Sequence, residues 1–293
     1  MYWLRPETAI WRTLDILLLK KITFSKPILD IGCGDGIFTF SAFDGTVGSD
    51  YDVYRTMKNT GKFFYGVDIH DQSNNVIPKI IKKSKVKIDY GLDWKINLLK
   101  KAKNLKNYEK LIKHDANSIL PFNDKKFETI FSNTFYWMND INHIINESKR
   151  VCSDTGKIII FLPDKKFKNS LILNQFFSKN DRWAQMLDRG ISNNIQHCYT
   201  FSEWKKIFSN CNLKIKSHYN YGSEKLVKFW SIGLRPYSPY LIEMSNNLNL
   251  TTRTKIKRKL IRDLGPLIES YISHELNLIG NNNNCFHLFV LEK

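Results

Sequence analysis

The sequence predicts an α/β fold: a mostly parallel sheet of about seven strands, with an insertion before the second strand and helical additions in the C-terminal part. Three observations predict it. Short apolar runs alternate with amphipathic helical patterns up to residue 162, the order typical of βαβ units. A glycine-rich turn directly follows the first apolar run. The last apolar run, Phe286 to Leu291, is expected to return to the sheet as a further strand.

The chain begins with a predicted helix and strand. From Pro6 to Lys21 apolar residues recur at helical spacing, and Pro6 suits the first turn of a helix. Residues 26–32 predict a short buried strand that ends in a glycine-rich turn, and Phe38 to Phe43 starts the next helix. The stretch 43–85 contains scattered glycines and aspartates without a clear period, so it is interpreted as an insertion.

After the insertion, strands and helices alternate again. Strands are predicted at 86–93, 108–114, 127–132 and 157–162, with helices at 94–104 and 141–151. The run 157–162 is nearly all apolar, as expected for a central parallel strand that is covered on both faces.

Beyond Asp164 the pattern loosens. We predict helices at 170–177, 182–187, 202–210, 251–260 and 264–276, a strand at 213–219, and an aromatic loop at 229–240. The 293 residues are expected to form one enlarged domain. It would comprise an N-terminal helix (1–25), a core (26–164) and a C-terminal part (165–293).

Composition limits the possible classes of protein. Lysine and arginine (45) exceed aspartate and glutamate (28), for a net charge of +17. Such an excess is compatible with a nucleic-acid or anionic-membrane partner, but the lysines are dispersed and favour a solvated basic surface. The five cysteines are far apart, which argues against a zinc site and a disulfide framework. With no signal peptide or membrane-spanning run predicted, we expect a cytoplasmic protein without a metal.

The glycine-rich turn carries the most specific pattern. Glycines stand at alternate positions, in Asp30-x-Gly32-x-Gly34-x-Gly36, directly after a strand. A dinucleotide-binding turn would need Gly-x-Gly-x-x-Gly, and position 37 is isoleucine. The pattern resembles motif I of class I S-adenosylmethionine (SAM)-dependent methyltransferases. The resemblance implies a Rossmann-like sheet with SAM as cofactor, whose amino-acid part would approach Asp30 and the backbone from Gly32 through Cys33 and Gly34 to Gly36.

A carboxylate at the end of the second strand would accept from both ribose hydroxyls of SAM. Two candidates compete: Asp68, in Tyr65-Gly-Val-Asp-Ile, and Asp93, followed by Trp94. We choose Asp93, because a helix and then a third strand follow it, as the family order requires, and we include Trp94 in the cofactor site. For Asp93 the alternative is a plain turn residue.

Two further segments extend the resemblance, which covers residues 28–164 apart from the insertion. His114-Asp115-Ala116, followed by Leu120-Pro-Phe, implies adenine contacts through Asp115 and the amide of Ala116, with turn capping as the alternative. The segment Phe131–Trp137, including Asn133 and Tyr136, would lie over the methionine end of SAM, although these residues fit core or capping roles equally well. The resemblance is to the methyltransferase type 11 group, including bacterial members found among surface-polysaccharide genes.

The expected function is therefore SAM-dependent methylation of a small-molecule, sugar or glycan acceptor. No residue is assigned as catalytic; His197 and Tyr136 are weak candidates, and a base is needed only for a hydroxyl or amine acceptor. RNA methylation is the first alternative and a non-catalytic scaffold the second. The aromatic run 229–240 and the basic run 253–259 could cap the acceptor or touch an anionic membrane surface, but a solvated helical subdomain is the favoured interpretation.

Overall fold

The computed structural model describes residues 1–55, 57, 76–176, 178, 181, 195–233 and 237–293. The predicted helix at 182–187 and the alternative carboxylate Asp68 lie outside these residues.

Seven strands form one sheet, in the order β5-β4-β1-β6-β7-β9-β8, and β2 pairs with β3 separately. Five neighbouring strands are parallel to one another: β5, β4, β1, β6 and β7. Strand β9 is antiparallel to both β7 and β8. The predicted seven-stranded, mostly parallel sheet is confirmed. The strands are β1 (Ile28–Ile31), β2 (Thr46–Val47), β3 (Ile80–Lys82), β4 (Ile88–Asp93), β5 (Tyr108–Lys113), β6 (Phe127–Ser132), β7 (Cys152–Pro163), β8 (Lys214–Ser223) and β9 (Asn284–Glu292).

Helices cover both faces of this sheet. They are α1 (Pro6–Leu19), α2 (Ile37–Ala42), α3 (Ile96–Leu105), α4 (Ile141–Val151), α5 (Lys165–Ser170), α6 (Ile172–Phe176), α7 (Phe201–Asn210), α8 (Glu224–Ile232), α9 (Ser238–Asn246) and α10 (Leu250–Asn277), with a 3-10 helix at Phe135–Trp137.

Alternation along β7 shows why the sheet needs cover on both sides. Ile158, Ile160 and Leu162 belong to the core cluster under α4 and α7. Ile159 and Phe161 belong to the cluster under α1 and α8, which also receives the second half of α10. Since successive side chains of a strand point to opposite faces, a continuous apolar run buries both faces of the strand.

The insertion packs against the basic start of α10. Arg253 Nε donates to Asp52 Oδ2 at 2.9 Å, and both side chains are only 5% exposed. Lys257 Nζ donates to the carbonyl oxygens of Ser49 and Tyr51, each at 2.7 Å. Two of the basic residues expected on a solvated face are therefore buried and hold the insertion.

The structure corrects two C-terminal predictions. The aromatic run expected as a loop is helical at both described ends, in α8 and α9, because Leu226, Val227 and Ile242 are buried core residues. The two helices expected around residue 262 are one helix, α10, with Pro266 inside it. A proline removes one helical hydrogen bond. Packing of Ile268, Tyr271 and Ile272 against the core offsets that loss. Within the described ranges, no helix combines the length and apolarity needed to cross a bilayer.

Candidate functional site

The glycine turn lies at the carboxyl end of β1, and its glycines have different roles. Gly32, Gly34 and Gly36 all have φ between +57° and +74°, which disfavours other residues. A Cβ on Gly32 would stand 2.1 Å from Thr134 Oγ1, and one on Gly36 would stand 2.8 Å from the Tyr108 ring. A Cβ on Gly34 would meet no protein atom within 4 Å. Gly32 and Gly36 are thus required by packing, whereas Gly34 presents its backbone to open space.

Asp93 ends β4, the strand beside β1, and contacts the glycine turn directly. Its Oδ2 accepts from the amide of Gly34 at 2.9 Å, and its Oδ1 accepts from the amide of Lys95 at 2.8 Å. A carboxylate offers about four acceptor positions. A pair of ribose hydroxyls is the kind of donor that such a carboxylate accepts. The prediction that a strand ends at Asp93 is confirmed, and this strand pairs with β1. Trp94, the next residue, is 63% exposed beside it.

Asp30 is held beneath the turn by a residue that the sequence did not reveal. Tyr108, the first residue of β5, donates its hydroxyl to Asp30 Oδ2 at 2.7 Å, and Thr39 Oγ1 lies 2.6 Å from that hydroxyl. The ring occupies space left by two glycines, since a Cβ on Gly91 or Gly36 would lie within 2.8 Å of it. A glycine inside a strand often marks such a close approach, so Gly91 was the available signal.

Burial raises the pKa of Asp30 to about 7, against hydrogen bonds from Tyr108 and Thr39 that lower it. A carboxyl whose pKa is higher in the folded than in the unfolded chain stabilises the fold fully at low pH, below its unfolded value of 3.8. That contribution is lost as the pH rises through about 7. We therefore expect Asp30→Asn to gain stability relative to the wild type over this pH range. Urea unfolding of both proteins at several pH values measures this difference, and a constant difference would contradict it.

The segment after β5 carries Asp115 and Ala116. Asp115 is exposed, and its Oδ1 accepts from the backbone amide and from the side-chain amide of Asn117, each at 2.9 Å. Asn117 Oδ1 in turn accepts from the amide of Asn139, which ties this segment to the one after β6. Ala116 packs its side chain into the core, so its contribution to a ligand would come from the backbone. Asp115 therefore caps the turn through Oδ1, and its Oδ2 takes no part in these two bonds.

The segment after β6 forms an aromatic boundary. Asn133 is half-buried, Thr134 is packed under Gly32, and Tyr136 packs on Phe286 with ring centroids 5.9 Å apart. Trp137 is 51% exposed. Burial raises the pKa of Tyr136 to about 12. Its hydroxyl therefore stays protonated near neutral pH, which suits a hydrogen-bond donor better than a base.

His197 contacts the same segment. Its Nε2 lies 2.8 Å from the carbonyl oxygen of Met138, and its Nδ1 lies 3.2 Å from the Tyr199 hydroxyl. A carbonyl can only accept, so Nε2 carries the proton and Nδ1 can accept from Tyr199. Both nitrogens are engaged, and this histidine braces the segment after β6. Cys33, in the glycine turn, is buried among Ile28, Ile88 and Leu99.

Comparison with known proteins supports the same cofactor chemistry. Residues 29–160 match a family model described as a methyltransferase domain. This match covers the glycine turn, Asp93 and the segments after β5 and β6. The chain carries a class I SAM-dependent methyltransferase domain. No functionally curated protein matches its sequence significantly.

Several solved structures resemble this methyltransferase at low sequence identity. A SAM-dependent methyltransferase from Thermotoga maritima is 12% identical, with a TM-score of 0.43 over 72% of this chain and 74% of the other. One from Aquifex aeolicus is 15% identical, with a TM-score of 0.39 over 69% and 80%. SpnF, named as a cyclase, is 12% identical, with a TM-score of 0.47 over 96% and 80%. Similarities this low identify no acceptor.

The residues present fit SAM. Gly34 leaves its backbone open, the carboxylate of Asp93 accepts from the Gly34 amide, and the next residue, Trp94, has an exposed ring. When bound, SAM supplies a methyl group on a sulfonium centre, which an acceptor attacks in line. The chain's part is to hold and orient the two reactants and to exclude water, because such a displacement depends on alignment more than on a proton donor or base.

Proposed function

We propose that this methyltransferase binds SAM along the carboxyl ends of β1, β4, β5 and β6 and methylates a small-molecule, sugar or glycan acceptor. Ten residues would form the cofactor site: Asp30, Gly32, Cys33, Gly34, Gly36, Asp93, Trp94, Asp115, Ala116 and Asn133.

The contact between Asp93 and Gly34 is the observation that carries the cofactor part of the proposal. In this contact Asp93, which we propose as the ribose acceptor, lies against the one glycine of the turn whose missing side chain serves no packing contact in the described structure. The two ribose hydroxyls would donate to the carboxylate of Asp93. In this proposal Trp94 covers the adenine, and Asp115 accepts from its amino group.

Aromatic side chains around the methionine end favour a small acceptor. Tyr136 and Trp137 lie after β6, with ring centroids 5.4 Å apart. Phe38 lies in the first turn of α2 and stacks on Phe131, with ring centroids 6.0 Å apart. Rings of this kind form a wall that admits a small group or the end of a chain. A hydroxyl acceptor would also need a base, and neither His197 nor Tyr136 has a free, correctly protonated group for that role.

The cofactor is tested by calorimetric titration of the purified protein with SAM and, separately, with NADH. We expect micromolar or tighter binding of SAM and no binding of NADH. The third glycine of the turn stands one residue earlier than in a dinucleotide-binding turn. Absence of SAM binding would overturn the proposal and favour a non-catalytic scaffold. Methyl transfer from labelled SAM to nucleotide sugars and glycans, compared with RNA, then tests the acceptor.

One surface feature favours RNA as the second candidate acceptor. Lys255, Arg258, Lys259 and Arg262 are exposed along one side of α10. Binding through such a row would weaken steeply with salt, since each neutralised phosphate releases counterions. RNA affinity that falls by several orders of magnitude between low and moderate salt, together with methylation of that RNA, would replace the small-acceptor proposal.

A further inference from the structure

Arg12 lies on α1, on the side of the sheet opposite α4 and α7, close to the methionine end of the proposed SAM site. Its guanidinium carbon is 5.6 Å from the ring centroid of Phe38. The hydroxyls of Tyr2, Tyr136 and Tyr221 are near enough to interact with its charge. Arg12 therefore lies among residues from the N-terminus, from α2 and from the segment after β6.

The guanidinium is fixed on one edge only. Its Nη1 donates to Asp15 Oδ2 at 3.2 Å, and no other hydrogen bond from Arg12 is found within the described part of the chain. Asp15 is itself fixed by the Tyr221 hydroxyl, which donates to Oδ1 at 2.6 Å. The Asp15 side chain is 4% exposed, whereas that of Arg12 is 35% exposed. The buried carboxylate thus holds one edge of the guanidinium, and most of its five donors have no hydrogen-bond partner within the described residues.

Asp15 accepts from both Arg12 and Tyr221. Burial raises the pKa of Asp15 to about 6, although Arg12 and Tyr221 both lower it. An oriented arginine with a free edge, one face on an aromatic ring and limited solvent exposure is suited to bidentate binding of an anion.

We propose that Arg12 binds a carboxylate at the methyl-transfer end of the site, either that of the acceptor or that of SAM itself. The proposal rests on the proposed function for the identity of the neighbouring ligand, and it adds a specificity residue that the glycine turn and its partners do not include. If the carboxylate is that of the acceptor, the enzyme would prefer acceptors with a carboxylate close to the methylated atom.

The test uses acetate as the probe, titrated calorimetrically into the protein alone and into the protein saturated with S-adenosylhomocysteine. We expect acetate to bind the wild type and to bind Arg12→Met at least about tenfold more weakly, since a charge-assisted bidentate contact is lost. Arg262→Met is the matched control, because Arg262 is 73% exposed and pairs with the adjacent Asp263. It should match the wild type. Arg12→Lys, which keeps the charge but not the fork, should bind acetate with intermediate affinity.

Loss of Arg12 leaves Asp15 buried without this ion-pair partner, which could unfold the variant. A second variant therefore separates the loss of binding from the loss of folding. The double variant Arg12→Met with Asp15→Asn removes both charges and keeps an acceptor for Tyr221. Circular dichroism checks that it is folded, and its acetate affinity should match that of Arg12→Met.

The two sources of carboxylate give different results. If Arg12 serves the acceptor, acetate binds the S-adenosylhomocysteine-saturated protein, and Arg12→Met leaves S-adenosylhomocysteine affinity unchanged. If Arg12 serves SAM, the saturated protein excludes acetate. Arg12→Met then weakens S-adenosylhomocysteine but not methylthioadenosine, which lacks the carboxylate. Equal acetate affinity in wild type and Arg12→Met, or no acetate binding in either form, would overturn the proposal. Arg12-dependent acetate binding without SAM binding would instead refute only the proposed function.

Discussion

Asp93→Ala is expected to weaken SAM binding by about a hundredfold, because two hydroxyl donors of the ribose lose one charged acceptor. The same change leaves the amides of Gly34 and Lys95 without the acceptor they have now, so the glycine turn also loses part of its support. Calorimetric titration with SAM measures the loss, and circular dichroism shows whether the variant is folded.

Two further variants separate these effects. Asp93→Asn keeps the size of the side chain and an oxygen for one amide, and we expect it to lose most of the SAM affinity while unfolding near the wild-type urea concentration. Asp124→Ala, at an exposed carboxylate paired with Arg150, is the control and should bind SAM normally. Undiminished SAM affinity in Asp93→Ala would show that the ribose is bound elsewhere.

Gly34→Ala is expected to abolish measurable SAM binding in a protein that still folds. Its Cβ would meet no protein atom within 4 Å, so the cost to stability is the left-handed backbone of Gly34, about 1 kcal/mol. The same methyl group would stand in the space where the cofactor must approach the turn. Urea unfolding and SAM titration of one sample give both quantities.

Gly32→Ala, in contrast, should mainly lower the stability of the fold. Its Cβ would overlap Thr134 Oγ1, and Thr134 is buried and hydrogen-bonded to Ser132. Overpacking combined with the left-handed backbone should destabilise the fold by about 3 kcal/mol. If Gly34→Ala were the more destabilised variant, or bound SAM like the wild type, then the space above Gly34 would not be the cofactor site.

The weakness of His197 and Tyr136 as bases has a consequence for the acceptor. His197 braces the segment after β6 through Met138, and Tyr136 stays protonated because it is buried. Since neither of these two described residues is poised as a general base, they favour an acceptor atom that is already nucleophilic, such as a neutral amine, a thiolate or an ionised oxygen.

Local sequence patterns determined much of the chain. The strand Phe127–Ser132 and the helix Ile141–Val151 were predicted with their observed bounds, because apolar period and helix capping are both local signals; Asp140 caps that helix by accepting from the amides of Asn142 and His143. The glycine spacing after β1 marked the turn, and the order of elements placed Asp93 beside it. The continuity of α10 was missed, since Gly265-Pro266 is a local break signal that packing against the core overrides.

The sequence by itself thus determined the fold class, the cofactor class and the position of the turn, because each depends on residues that are neighbours in the chain. Only the tertiary structure decided which groups support and complete the site. Tyr108 lies 78 positions from Asp30, and Tyr221 lies 206 positions from Asp15. Nothing in the local pattern of either partner specifies such a pair. These contacts arise only when the sheet places β5 and β8 beside the segments they support, and they fix Asp30 under the turn and Arg12 at the proposed acceptor end.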